Sequence, residues 1–220
     1  KANPGQIEER LAFTRIGAGG KMRANRKANN SQFSAGLNGT GAAATNFASE
    51  FFDVTIYKED GIYHDRYENG GIPVIELKNG QLPHKANPTN RTGTVVHFKP
   101  DPTFLRVTKI SAGTLKHFFN QMQYLHPGST LIFENERDDE TITYHSDEGL
   151  VDYLKLIATD DDKSDLAGKV VSLSGDGSAQ VMGNEVNMRL NLAMGLSKKE
   201  NGKVLAFTNT TYNKLGGTHE

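Results

Sequence analysis

The stretch that decides the fold runs from residue 36 to residue 52, GLNGTGAAATNFASEFF. Gly36, Gly39 and Gly41 stand at spacing G-x-x-G-x-G, and small residues then lead without a break into an apolar segment. Glycines directly before a helix let backbone N–H groups approach a ligand, and the helix N-terminus adds about half a positive charge. Anions, phosphates above all, bind such places. The spacing differs from the dinucleotide fingerprint G-x-G-x-x-G, and no G-x-x-x-x-G-K-[ST] loop occurs in the chain, so neither common phosphate motif applies. The same residues also read as a flexible turn before a helix whose Ala42, Ala43 and Ala44 permit close packing.

Upstream, Gly19-Gly20-Lys21 follows a short predicted helix over residues 4 to 16, whose apolar residues are Ile7, Leu11 and Ile16. These glycines and the lysine supply backbone freedom and a mobile cation, as a flap closing over a polyphosphate would. Arg23, Arg26 and Lys27 add charge to the same segment, or form a solvated loop. The whole connection is a loop of about 20 residues, long enough for a compact domain to use it for function.

Downstream, a helix is predicted from about Gly39 to Glu50, with Phe47, Ala48 and Phe51 on its apolar face. VTIYKEDGIYHDRYENGG reads as a hairpin around Asp60-Gly61, and PVIELKNGQLP as a strand with an Asn79-Gly80 turn. TGTVVHFKPD is a strand stopped by proline. SAGTLKHFFNQMQYLHPG has Leu115, Phe118, Phe119, Met122 and Leu125 at helical spacing, Ser111 as cap and Pro127-Gly128 as stop. STLIFENE is a strand and DEGLVDYLKLI a helix. The composition then changes: TDDDKSDLAG is polar and acidic, and KVVSLSG, NEVNMRLNLAMGL and KVLAFTNTTY alternate like strands. This shift marks a domain boundary near residues 157 to 165.

Composition bounds the chemistry. The chain has 220 residues, 36% hydrophobic and 23% charged, with 25 basic against 26 acidic residues and a formal net charge of -1. Nothing in that balance predicts binding to nucleic acid by bulk charge. There is no cysteine, which excludes disulfides, thiolate zinc sites and a cysteine nucleophile. No apolar run approaches the roughly 20 residues of a membrane helix and no signal peptide opens the chain, so the expectation is a cytoplasmic protein without membrane contact. The seven histidines show no pairing at metal-ligand spacing. No G-x-S-x-G elbow occurs. Asp160 to Asp162 form a solvated linker or a metal ligand set. The opening Lys1 and the closing GGTHE read as the ends of a piece cut from something longer.

AGGK at 18–21, GLNGTG at 36–41 and the following TNFASEFF resemble the ATP lid of the ATPase subunit of type IIA DNA topoisomerases, the gyrase B and topoisomerase IV group. Asn38 and Thr40 stand where that family usually has His and Val, which leans toward its eukaryotic and phage members. YHDRYENGGIPV, TGTVVHFKPD, LKHFFNQMQYLHPG, YHSDEGLVDYL and AFTNTTYNKLGGTH resemble further family blocks, in the family's order.

The resemblance implies an α+β chain: part of a Bergerat-type layer fold, shared with Hsp90, MutL and histidine kinases, over residues 1–157. The beginning of a transducer domain of ribosomal protein S5 domain 2-like type would occupy residues 158–220. It implies ATP as ligand, with Gly36, Leu37, Asn38, Gly39, Thr40 and Gly41 around the triphosphate, Gly19, Gly20 and Lys21 in the lid, and Thr94 on the adenine side. The partners implied are duplex DNA, a second ATPase subunit in a homodimer, and the DNA-cleaving subunit or domain. The family's catalytic glutamate, its magnesium-binding asparagine, its D-x-G-x-G aspartate and its transducer lysine have no counterpart in these residues. The chain alone is therefore expected to hold no Mg2+ and to turn over no ATP. A related superfamily ATPase would lack the TGT strand and the GGTH ending, and a non-catalytic dimerisation or regulatory module is the remaining alternative.

Overall fold

A computed structural model of the chain describes residues 8–18, 39–160, 163–181, 184–198, 203–208 and 210–213. These residues form two compact units, divided between Lys109 and Ile110. That division rests on packing, whereas the boundary expected near residue 157 rests on composition and family resemblance.

The first unit is a sheet with two short helices. Helix α1 spans Glu8–Thr14 and α2 spans Gly41–Phe47. The strands are β1 (Ser49–Lys58), β2 (Gly61–Glu68), β3 (Ile72–Pro73), β4 (His84–Lys85) and β5 (Gly93–Pro100). Their order is β3-β2-β1-β5, with β4 also pairing β2, and every pairing is antiparallel. Phe52 and Val54 of β1 face the same way as Tyr67 of β2, and all three are buried, with Phe13, Ile56 and Phe98 packed around them. The Phe13 ring lies 5.6 Å from Phe52 and 6.4 Å from Tyr67, so α1 seals this core. Phe13, and not Ile16, is the contact residue; Ile16 lies past the end of α1 and is exposed.

The helix expected to reach Glu50 ends at Phe47, and β1 begins at Ser49. Phe51 and Phe52 consequently point to opposite faces of the sheet. Phe52 enters the core, while Phe51 meets His97 at 5.0 Å and lies under the Arg66 guanidinium at 4.8 Å. The aromatic and β-branched run after Ala48 has a partner strand on each side, and that pairing overrides helical continuation. The hairpin also turns one residue earlier than its sequence suggests, because Lys58 pairs with Gly61. A Cβ on Gly61 would lie 3.0 Å from the Lys85 carbonyl oxygen, so this glycine admits β4 rather than making the turn. The Asn79-Gly80 turn is present, with φ of 52° and 77° and Lys78 bridged to Gln81, but of the strand expected over residues 73–83 only Pro73 belongs to a paired strand of the sheet.

The second unit begins with α3 (Ala112–Leu125), whose first turn is capped by the Ser111 hydroxyl accepting from the Thr114 N–H. It packs on the hairpin of β6 (Thr130–Asn135) and β7 (Glu140–His145), where Phe119 meets Phe133 and Tyr144 edge-on. Strand β7 is not among the expected elements, although Ile142 and Tyr144 alternate with threonine and histidine at the period of a strand. Helix α4 (Leu150–Ile157) follows as expected. The acidic segment expected to be a linker carries two short paired strands, β8 (Thr159–Asp160) and β9 (Lys163–Ser164). A long hairpin, β10 (Val171–Val181) and β11 (Asn184–Met194), and a small one, β12 (Phe207–Thr208) and β13 (Thr211–Tyr212), complete the unit. Tyr124, Tyr153, Phe207 and Tyr212 form a continuous row of ring contacts.

Candidate functional site

The candidate site is the approach to α2. Gly19, Gly20, Lys21, Gly36, Leu37 and Asn38 lie outside the described residues, as do Arg23, Arg26 and Lys27 and the GGTH ending. Gly39, Thr40, Gly41 and Thr94 lie within them. Gly39 has φ of 60°, in the left-handed region that glycine adopts without penalty. Thr40 is the N-cap residue of α2, and its side chain makes no capping bond. The Ala44 N–H donates to the Thr40 carbonyl at 2.8 Å, so the regular helical bonds begin there. The N–H groups of the residues before Ala44 point out of the helix start, as at any helix N-terminus. Helix α2 has only seven residues, so the glycine-rich backbone itself has to supply most of any anion affinity.

This turn is held from several directions. The Gly17 N–H donates to the Gly39 carbonyl at 3.2 Å, which joins the end of α1 to the start of the motif. The Asn46 amide is buried and donates to the Phe13 carbonyl at 2.9 Å, joining the other end of α2 to α1. At the end of α2 the Ala48 carbonyl accepts from the Asp101 N–H at 3.0 Å, tying it to the segment just after β5. Thr94 sits on β5 opposite Ile56 and shares the sheet face of Phe52 and Val54, where it is exposed. It stands on a different element from Gly39–Gly41, and no hydrogen bond joins them among the described residues.

The electrostatics of the helix–sheet seam centre on Arg10 and Asp65. The Arg10 guanidinium donates to both Asp65 oxygens, at 2.8 and 2.9 Å, and also to the Ile75 carbonyl. The Tyr67 hydroxyl donates to Asp65 at 2.7 Å. The Asp65 bond raises the Arg10 pKa above its ordinary value, and burial followed by the Asp65 bond pushes the Tyr67 phenol far up, so Tyr67 stays a neutral donor. Sequence reading did not find this group. Its only trace is a basic residue three positions before Phe13, and an acid between Tyr63 and Tyr67 on a strand.

Peptide N–H groups beside glycine are donors that fit a polyphosphate ligand. Among the described residues no group of three or more His, Asp or Glu side chains comes together.

No protein-family model matches the chain. It is 32% identical over 187 residues to the B subunit of DNA topoisomerase 4 from Bacillus subtilis, covering 85% of this chain and 26% of that protein. Against the B subunit of DNA topoisomerase 4 from Streptococcus pneumoniae it is 31% identical over 210 residues, 96% of this chain and 30% of that protein. Against the B subunit of DNA gyrase from Helicobacter pylori it is 30% identical over 210 residues, 96% of this chain and 25% of that protein. The chain thus spans only about a quarter to a third of the length of the curated relatives it matches. Its fold is similar to part of the 43K ATPase domain of Thermus thermophilus gyrase B, solved with an aminocoumarin: TM-score 0.68 at 22% identity, covering 82% of this chain and 45% of that one. Alignment over 96% of this chain, together with an α+β fold, identifies it as homologous to a segment of the gyrase and topoisomerase IV B subunits.

Proposed function

We propose that the chain is the ATP-binding portion of the ATPase subunit of a type IIA DNA topoisomerase. The observation that carries this reading is the glycine motif leading into α2, within a chain aligned over 96% of its length with a topoisomerase IV relative. In this reading Gly36, Leu37, Asn38, Gly39, Thr40 and Gly41 direct peptide N–H groups at the triphosphate. Gly19, Gly20 and Lys21 cover it, and the Thr94 hydroxyl serves the adenine side. ATP supplies the free energy that drives the intact subunit through its cycle. Binding promotes pairing of two ATPase subunits around a captured DNA duplex, next to the DNA-cleaving subunit or domain. Residues 1–157 serve as the nucleotide domain and 158–220 as the start of the transducer, in a cytoplasmic enzyme. No helix among the described residues is long and apolar enough to cross a membrane.

The reading gives this chain no general base and no magnesium ligand, both of which hydrolysis needs. The 220 residues alone therefore turn over no ATP, and the Mg2+ of the intact enzyme is held by residues outside them.

Gly41→Ala tests the phosphate assignment cleanly. A Cβ on Gly41 meets nothing within 4 Å, and its φ is not in the left-handed region, so the free fold accepts alanine. A backbone that touches phosphate does not, and the expected result is a loss of about tenfold or more in affinity for a non-hydrolysable ATP analogue. Calorimetric titration of the full-length protein reads it. Unchanged affinity removes the phosphates from this turn.

A further inference from the structure

Arg10 is a charged side chain set inside a helix–sheet seam that apolar residues could fill. Asp65 is 4% exposed, and the Arg10 side chain is 13% exposed. A buried ion pair adds little net stability, because desolvation offsets most of the attraction, and well-packed apolar residues of similar volume often do as well. An apolar pair cannot supply direction. The guanidinium fork meets Asp65 at two points and the Ile75 carbonyl at a third, which fixes both the rotation and the slide of α1 against β2. The Tyr67 hydroxyl and the Arg66 N–H hold the Asp65 carboxylate in turn.

What α1 fixes is the start of α2. One bond reaches each end of that helix from α1 or the turn just after it: the Gly17 N–H to the Gly39 carbonyl, and the Asn46 amide to the Phe13 carbonyl. Asn46 is 1% exposed, and its Oδ1 has no partner among the described residues. The path runs from Asp65 through Arg10 and α1 to Gly39, Thr40 and Gly41, without touching any ligand.

We propose that Arg10 is a positioning residue for nucleotide phosphates, holding the 39–41 turn in register with the sheet through α1. This inference rests on the reading of that turn as a phosphate site. An apolar residue at position 10 leaves Asp65 buried without its cation, so it lowers stability as well as displacing the turn. AMP, which lacks the β- and γ-phosphates, depends less on that turn than ATP does.

The test uses the full-length protein, with a non-hydrolysable ATP analogue and AMP as probes and thermal unfolding as the check on folding. Arg10→Met is expected to lower affinity for the analogue by about ten- to a hundredfold and affinity for AMP by less than about twofold. Arg10→Lys keeps the charge but not the two-point grip, and falls between Arg10→Met and the parent. A general folding defect would lower both affinities by the same factor, and that result overturns the inference, as does analogue binding within about twofold of the parent in both variants. If Arg10→Met does not fold, Arg10→Lys decides by the same criterion. Failure of the unmutated protein to bind the analogue sinks the nucleotide reading itself, whereas binding that ignores Arg10 sinks only this inference.

Discussion

Gly70 and Gly71 stand side by side after β2, both with positive φ, at 78° and 91°, and they are not equivalent. A Cβ on Gly71 would sit 2.5 Å from the Phe47 ring and 3.2 Å from the Asn46 amide nitrogen. A Cβ on Gly70 would meet nothing within 4 Å. Gly71→Ala therefore combines left-handed strain with overpacking of α2 and should lower stability by about 2–4 kcal/mol. Gly70→Asn carries only the backbone strain, which asparagine tolerates well, and should cost less than about 1 kcal/mol. Urea unfolding midpoints of the two variants check the contrast; equal losses would show that the loop does not press on Phe47. The sequence marks both glycines as turn residues. It does not say which one a neighbouring ring occupies, because that ring comes from a helix more than twenty positions earlier.

At the scale of elements, α1 is docked by two charged contacts, Arg10–Asp65 and Glu9–Lys58, and the second responds to acid. The hydrogen bond from Lys58 holds the Glu9 carboxyl below its ordinary value of 4.5, against the opposing effect of burial. A carboxylate whose folded pKa is depressed contributes stability above its unfolded pKa and loses it as pH falls through the lower folded value. The Glu9–Lys58 contribution is thus complete above about pH 4.5 and disappears below it. Glu9→Gln should remove this acid dependence while leaving α1 docked at pH 7, which amide protection in α1 measured across the acid range will report. Among the helices, α3 is the one whose limits the sequence states most fully, through Ser111 at its start and Pro127-Gly128 at its end. Ser111→Ala should cost about 1 kcal/mol, read as a lower midpoint of thermal unfolding. Helix α2 is the opposite case. Its small residues and Phe47 predict a helix through Glu50, but β2 and β5 claim the chain from Ser49 onward.

At the scale of the whole chain, the β10–β11 hairpin divides cleanly by face. Val171, Leu173, Met188, Leu190, Leu192 and Met194 share one side by register, and each is more than 40% exposed. Ser172, Ser174, Asp176 and Arg189 lie on the other side, where Arg189 pairs with Asp176. A contiguous apolar face of this kind promotes association at high concentration. Leu173→Lys with Leu190→Glu should raise the concentration at which the 220-residue chain stays monomeric in sedimentation, and change its unfolding free energy by less than about 0.5 kcal/mol. A large loss of stability instead would mean that this face is packed. The alternation in these segments is legible as strand. The polar stretch before them reads as linker because β8 and β9 are too short to show a period.

Local signals fixed much of this protein without help from the rest of the chain: the glycine motif before α2, the hairpin after it, the TGTVVHFKPD strand and the capped α3. Each of these follows from φ preferences, caps and periods that neighbouring residues set. Tertiary structure decided where α2 gives way to β1, why Gly61 and Gly71 must be glycine, and that Arg10 meets Asp65 across 55 positions. Burial and charge pairing belong to surfaces that exist only once the strands have paired, and no short window of sequence contains both partners.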